Sequence, residues 1–167
     1  MKTEREFYTV RGYQMLNSEN KILTSGLEDY LEMIYRTCRD GGYARINQLS
    51  EKLNVRPSST SKIVQKLYEL GLVDYQKYGI IRLTEDGKSI GEFLLLRHEI
   101  IQGFLKNLGI EDTLLKDTEL IEHDVSHDAL KAIYYLNEFL SDNPQIKHQY
   151  DAYRTKLSKA ENPMFGK

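Results

Sequence analysis

A single cysteine, Cys38, is all the thiol chemistry the sequence offers, which excludes an internal disulfide and any zinc site built from several thiolates. No apolar run approaches the ~20 residues a membrane-spanning helix needs. The opening Met1-Lys2-Thr3-Glu4-Arg5-Glu6 also lacks the apolar stretch of a signal peptide, so the expectation is a cytoplasmic protein with no membrane partner. Excess positive charge is missing too. With a formal net charge of −2, any nucleic-acid surface must be a local basic patch balanced by acid elsewhere. There is no internal repeat and no low-complexity tract. What is present, 40% hydrophobic and 29% charged residues in a chain of 167, suffices for one domain or two small modules that fold.

Periodicity supplies the architecture. Leu27, Tyr30, Leu31, Ile34, Tyr35 and Cys38 form one stripe of an α-helix that Gly41-Gly42 ends. A shorter helix carries Ile46, Leu49 and Leu53. A third begins near Pro57, where a missing N–H costs little, and points Thr60, Ile63, Val64, Leu67 and Leu70 inward. After Gly71 the segments Val73–Lys77 and Ile80–Leu83, joined through Tyr78-Gly79, predict a β-hairpin. Thr84 then caps a long helix that runs to Gly109. Further helices are expected over 111–123 and 126–140, with Pro144 as a breaker and a last polar helix over 145–159. The expected fold is mostly α: an N-terminal winged helix-turn-helix with a small hairpin wing, then an all-helical domain. The expected boundaries are an N-terminal extension at 1–25, the winged helix at 26–84, the helical domain at 85–160 with 85–108 as linker helix, and a tail at 161–167.

Three short helices and a hairpin suit DNA recognition, with the third helix in the major groove and the hairpin on the backbone. Arg56 and Pro57 open that helix, and Ser58, Ser59 and Ser61 allow close approach of phosphates to its N-terminus. Lys62, Gln65 and Lys66 reach further: Gln pairs with adenine, Lys with guanine or phosphate. Lys77 and Tyr78 in the wing are backbone candidates. Such residues also serve simply to solvate a helix face, and winged helices also bind proteins, so the fold alone leaves both readings open.

A second constellation is acidic. Asp29 and Glu32 lie three apart on the first helix, about 60° from each other and roughly opposite its apolar stripe. Glu119, Glu122 and His123 stand at i, i+3 and i+4 later in the chain, a spacing that lets three side chains converge on one ion. His98 shares the stripe of Leu94, Ile101 and Leu105 and so points inward. Singly, each has an ordinary explanation as solvated charge, a core histidine or a polar helix end. Together they would offer four carboxylates and two imidazoles without sulfur, a donor set for Mn2+ or Fe2+, with a carboxylate-bridged pair of ions feasible. His127, four residues after His123, is set aside because Ser126 caps a new helix between them.

The stretches Leu27–Tyr35, Gly42–Arg45, Pro57–Leu67, Arg97-His98-Glu99 and Ile121-Glu122-His123 together resemble the manganese-transport regulator branch of the diphtheria toxin repressor family, over about residues 27–140. The resemblance implies that Asp29, Glu32, His98, Glu119, Glu122 and His123 ligate Mn2+, two ions per subunit, with Fe2+, Zn2+, Co2+ or Cd2+ able to substitute in vitro. In the iron-responsive branch a cysteine stands at the place of Glu122 and a methionine at that of Asp29, so the carboxylates point to the manganese branch. It further implies a homodimer that binds a palindromic operator in double-stranded DNA and represses metal-uptake genes. The SH3-like domain of longer members has no counterpart here, and residues 1–25 match nothing in the resemblance. Two rivals remain: a di-metal enzyme, for which the sequence supplies no nucleophile or phosphate-cradling loop, and a winged-helix module that binds protein without metal control.

Overall fold

The computed structural model describes residues 12–13, 23–76 and 79–159. The chain divides into two compact units, Met1–Leu96 and Arg97–Lys167.

In the first unit, helix α1 (Ser25–Gly41) buries Leu27, Leu31 and Ile34, as its stripe predicts. It stops where Gly42 adopts φ 74° and donates its N–H to the Cys38 carbonyl, a left-handed cap that suits a residue without Cβ. A two-residue strand β1 (Ala44–Arg45) follows, then helix α2 (Ile46–Lys52) and helix α3 (Pro57–Glu69), with Pro57 in the first turn. Thr60, Val64 and Leu67 turn α3 inward. The buried Thr60 hydroxyl is matched by Ser50: the Ser50 Oγ gives its proton to the Ile46 carbonyl at 2.7 Å and lies in hydrogen-bond contact with Thr60 Oγ1 at 3.0 Å. That bond fixes α2 against α3, the pairing a helix-turn-helix requires.

Strands β2 (Val73–Gln76) and β3 (Ile80–Leu83) form the expected hairpin, and β1 adds to it, giving an antiparallel sheet in the order β1-β3-β2. The register pairs Ala44 with Ile81 and Tyr75 with Ile81 on opposite edges of the central strand. The wing residues Lys77 and Tyr78 lie outside the described residues. Thr84 accepts from the Gly87 N–H at 3.1 Å and donates to the Gly71 carbonyl at 2.8 Å. It therefore caps helix α4 (Glu85–Asn107) and ties its start to the turn before the wing. Further along, Gly91 brings the backbone of α4 against the ring and Cβ of Tyr35 on α1. At the N-terminal edge Gly12 lies against the Ser89 carbonyl and the Tyr13 ring sits 5.7 Å from that of Phe93, so part of the extension packs on α4.

Cys38 donates to the Ile81 carbonyl, and burial pushes its thiol pKa up. Because the thiolate is the reactive form, alkylation at pH 8 should run more than about tenfold slower in the native protein than in the urea-unfolded chain. Equal rates in a stopped-flow maleimide assay would contradict this packing.

In the second unit, α4 continues to Asn107 and is followed by α5 (Leu114–Glu122), α6 (His127–Asp142) and α7 (Pro144–Lys159). α5 starts at Leu114 rather than near Glu111, its first-turn bond running from Asp117 N–H to the Thr113 carbonyl. Pro144 acts as the first residue of α7, not only as the end of α6, a position where proline costs no hydrogen bond. Ser126 accepts from the Ala129 N–H and so caps α6, separating His127 from His123 as expected. Asn137 of α6 donates to the Ile100 carbonyl and accepts from Asn107, and Gly103 gives it room on α4. Arg154 of α7 donates to the carbonyls of Leu108 and Gly109, which satisfies the C-terminal end of α4. Among the described residues no helix is long and apolar enough to cross a membrane.

Candidate metal centre and DNA interface

The second unit gathers a buried polar cluster. His98 lies on the inward stripe of α4, while Glu122 and His123 end α5, with His123 as its C-cap. Glu122 is 2% exposed, and its Oε2 lies 2.9 Å from His98 Nδ1. A carboxylate only accepts, so Nδ1–H donates and the ring's lone pair stays on Nε2, which the Gln102 amide approaches at 3.5 Å. The other Glu122 oxygen is 3.9 Å from His123 Nε2. Arg97, itself buried, donates from its terminal nitrogen to His123 Nδ1 at 3.3 Å. Glu119, one turn before Glu122, is exposed.

In the first unit, Asp29 and Glu32 stand on α1. Asp29 is exposed, whereas Glu32 is 7% exposed and Glu28 is 6% exposed. The sequence places Glu32 on an open face; the structure buries it, because the covered arc of α1 extends past its apolar stripe. Tyr35, three residues on, packs on Gly91 of α4, so the face Glu28–Glu32–Tyr35 is turned toward that helix. Glu32 Oε1 accepts from both Nε (2.9 Å) and a terminal nitrogen (2.5 Å) of Arg36.

The donor chemistry fits a hard divalent cation. A carboxylate buried this deeply is costly unless compensated, and one imidazole hydrogen bond compensates only part of its charge. His98, Glu122 and His123 in the second unit offer oxygen and imidazole nitrogen, and Asp29 and Glu32 in the first offer oxygen; such donors suit Mn2+ or Fe2+ and do not suit a thiolate-seeking ion. His98 shares one feature with metal-binding histidines, a ring nitrogen held by a carboxylate. Arg36, Arg97 and Gln102 escaped the sequence reading. The i, i+4 spacing of Glu32 and Arg36 was a legible signal, and Arg97 falls between Leu94 and Ile101 on the inward stripe of the long helix.

On α3 the recognition candidates are arranged for access. Arg56, Pro57, Ser58, Ser59, Lys62, Gln65 and Lys66 are exposed. Ser61 is half-buried and donates back to the Pro57 carbonyl at 3.0 Å, so toward a partner it offers acceptor capacity only. The Gln65 amide donates to Glu69 at 3.2 Å and must release it to read a base. Arg56, at the N-cap, makes no side-chain capping bond, and the first turn carries no acidic residue; Ser59 and Thr60 donate to the Arg56 carbonyl and Pro57 has no N–H, so Ser58 supplies the N–H for a phosphate.

Comparison with known proteins matches two successive segments of the chain. The model for iron dependent repressor, N-terminal DNA binding domain, matches residues 22–81, and that for iron dependent repressor, metal binding and dimerisation domain, matches residues 84–151. The HTH-type transcriptional regulator MntR of Shouchella clausii is 42% identical over 121 residues, covering 72% of this chain and 85% of the relative. That of Lysinibacillus sphaericus is 38% identical over 133 residues, covering 79% and 96%. Among solved structures, the manganese regulator SloR superposes with a TM-score of 0.58 at 31% identity, over 69% of this chain and 53% of its own. T. acidophilum IdeR gives a TM-score of 0.58 at 26% identity, over 64% of this chain and 51% of its own, so the chain spans about half the length of these two. With both family models matched in order and relatives covered over most of their length, this chain belongs to the iron dependent repressor family, whose members are DNA-binding transcriptional regulators and not enzymes.

Proposed function

We propose that the chain is a Mn2+-responsive repressor that binds a palindromic operator as a homodimer in the cytoplasm. The observation that carries this reading is the buried pair of His98 and Glu122 beside His123, in the segment matched as metal-binding. Asp29 and Glu32 complete the ligand set, with Glu119 as a further, exposed carboxylate, for two ions per subunit; Fe2+, Zn2+, Co2+ and Cd2+ are in-vitro substitutes. Bound cation supplies positive charge that relieves the mutual repulsion of these carboxylates.

The remaining work belongs to the chain's own groups. His98 and Glu122 hold each other in fixed orientation, and α1, which carries Asp29 and Glu32, is packed through Leu31 and Ile34 into the core that also holds α3. Ordering α1 therefore orders the reading helix. Such an effect shifts a population only as far as the DNA-competent arrangement binds cation more tightly than the alternative. Exposed apolar residues on α5 and α6, among them Leu115, Leu120, Tyr135 and Phe139, suit the interface with a second copy. In the dimer the two α3 helices would meet major grooves about 34–36 Å apart. Lys62, Gln65 and Lys66 face the bases and phosphates, Ser58, Ser59 and Ser61 the backbone near the helix start, and Arg56, Lys77 and Tyr78 the flanking backbone.

The test is selection of duplexes from a random pool with Mn2+ and with chelator. The expected result is an enriched palindrome with Mn2+ and none with chelator; equal enrichment in both, or a non-palindromic site, would overturn the proposal. On the selected duplex Lys66→Ala should lower the slope of log affinity against log salt by about 1 without changing base preference, the signature of one lost phosphate contact.

A further inference from the structure

Two arginines occupy the metal candidates, and each does so in a way that opposes a metal ion. We infer that Arg36 and Arg97 are internal counter-cations of the ligand set, holding Glu32 and His123 without metal and setting the cation concentration at which the site fills. The inference rests on the metal reading above.

At His123 the argument is one of lone pairs. A guanidinium only donates, so Nδ1 must accept from Arg97, and in a neutral imidazole the proton then sits on Nε2. Ligation at Nδ1 would take the lone pair Arg97 uses; ligation at Nε2 would need that nitrogen's proton moved to Nδ1, where Arg97 already points a donor. Either route breaks the arginine bond. At His98 the partners are different: Glu122 accepts from Nδ1, and the group beside Nε2 is the neutral Gln102 amide at 3.5 Å, which brings no positive charge against an ion.

At Glu32 the argument is one of charge. Arg36, one turn along α1, directs two donors to Oε1, so the carboxylate's charge is already matched by a cation on its own helix. A divalent ion that arrives nearby must displace that guanidinium or sit beside its positive charge. The buried Glu122 has no such arginine bond among its described contacts; its partners are the two imidazoles. Each arginine thus opposes a cation at the side chain it holds, Arg36 at Glu32 and Arg97 at His123.

The experiment measures Mn2+ binding to full-length protein by loss of the free-ion EPR signal, together with the melting temperature of the metal-free protein. Arg36→Gln, at a half-exposed side chain, should tighten Mn2+ binding by about two- to fivefold, the factor an ion pair at such a site gives. It should also lower the metal-free melting temperature. Arg97→Met keeps the length of the buried stem but removes the donor; it should tighten binding and change the His123 ring 15N shifts in metal-free protein from the Nε2–H pattern toward tautomer exchange. Should Arg97→Met fail to fold, Arg36→Gln alone decides. Binding that is unchanged or weaker in Arg36→Gln overturns the counter-cation role and makes the arginine a positioning residue or surface charge. If wild-type protein takes up no Mn2+ at all, the metal reading itself falls, and the competition with it.

Discussion

Replacing Glu122 by Gln is expected to lower Mn2+ affinity by more than about 100-fold, since even partners one shell outside the ligands are worth about 10–100-fold. At Mn2+ about tenfold above the wild-type Kd, which nearly fills wild type, the variant should be under about 10% occupied and its DNA affinity close to the metal-free value. The choice of Gln matters. Glu122 is nearly inaccessible and accepts from His98 Nδ1, so truncation to Ala would leave a cavity and an orphaned donor. Gln keeps the shape and an acceptor for that donor while removing the charge. Because burying an uncompensated carboxylate is unfavourable, metal-free Glu122→Gln should melt at or above the wild-type temperature. That pairing, a fold as stable as wild type with no response to Mn2+, is not what a merely structural Glu122 would give. An unaltered Mn2+ response in isothermal titration and DNA binding would exclude Glu122 as a ligand.

Gly87→Ala should be the most damaging change of a single methyl group in the first unit. In a helix, Gly to Ala ordinarily stabilises by about 0.5–1 kcal/mol. Here a Cβ would stand 1.8 Å from the Leu72 carbonyl oxygen and 2.8 Å from its carbon. The obstacle is backbone, and it is held in place, because the same carbonyl accepts from the Thr84 N–H. The start of α4 must move away from the strand that leads into the wing, breaking the Thr84 cap, so a loss of about 3 kcal/mol or more is expected. Gly26→Ala is the control: it sits in the first turn of α1 with nothing within 4 Å of an added Cβ, and it should raise stability. Urea melts of the two variants test the pair, and a Gly87→Ala midpoint equal to wild type would contradict the close approach.

How much of this was legible in the sequence depends on what signal each part leaves. The stripe of α1, the Pro57 start of α3, the Gly42 stop, the Thr84 and Ser126 caps and the hairpin all rest on local rules, and they are where those rules put them. The inward turn of His98 was readable because a single polar residue sat on an otherwise apolar stripe. Strand β1 was not readable, since two residues carry no alternation; it exists only because β3 has an edge to pair with. The burial of Glu32 was misjudged for a related reason. Periodicity finds the arc of a helix that carries apolar residues, and on α1 the covered arc extends past Tyr35, at the edge of that stripe, to the buried carboxylates Glu28 and Glu32. Glu119 and Asp29 match the spacing of ligands and are both exposed, and their role stays with the proposal. Lys77 and Tyr78 lie outside the described residues.

The most direct test of the central claim is fluorescence anisotropy of a labelled duplex carrying the selected palindrome, followed as Mn2+ is titrated into full-length protein at fixed salt. A saturable rise that chelator reverses, together with tracking of the Mn2+ occupancy read by EPR on the same samples, is the predicted result. Anisotropy that is already maximal in chelator, or that stays flat while Mn2+ fills the protein, would show that the buried carboxylate and imidazoles do not govern the reading of DNA.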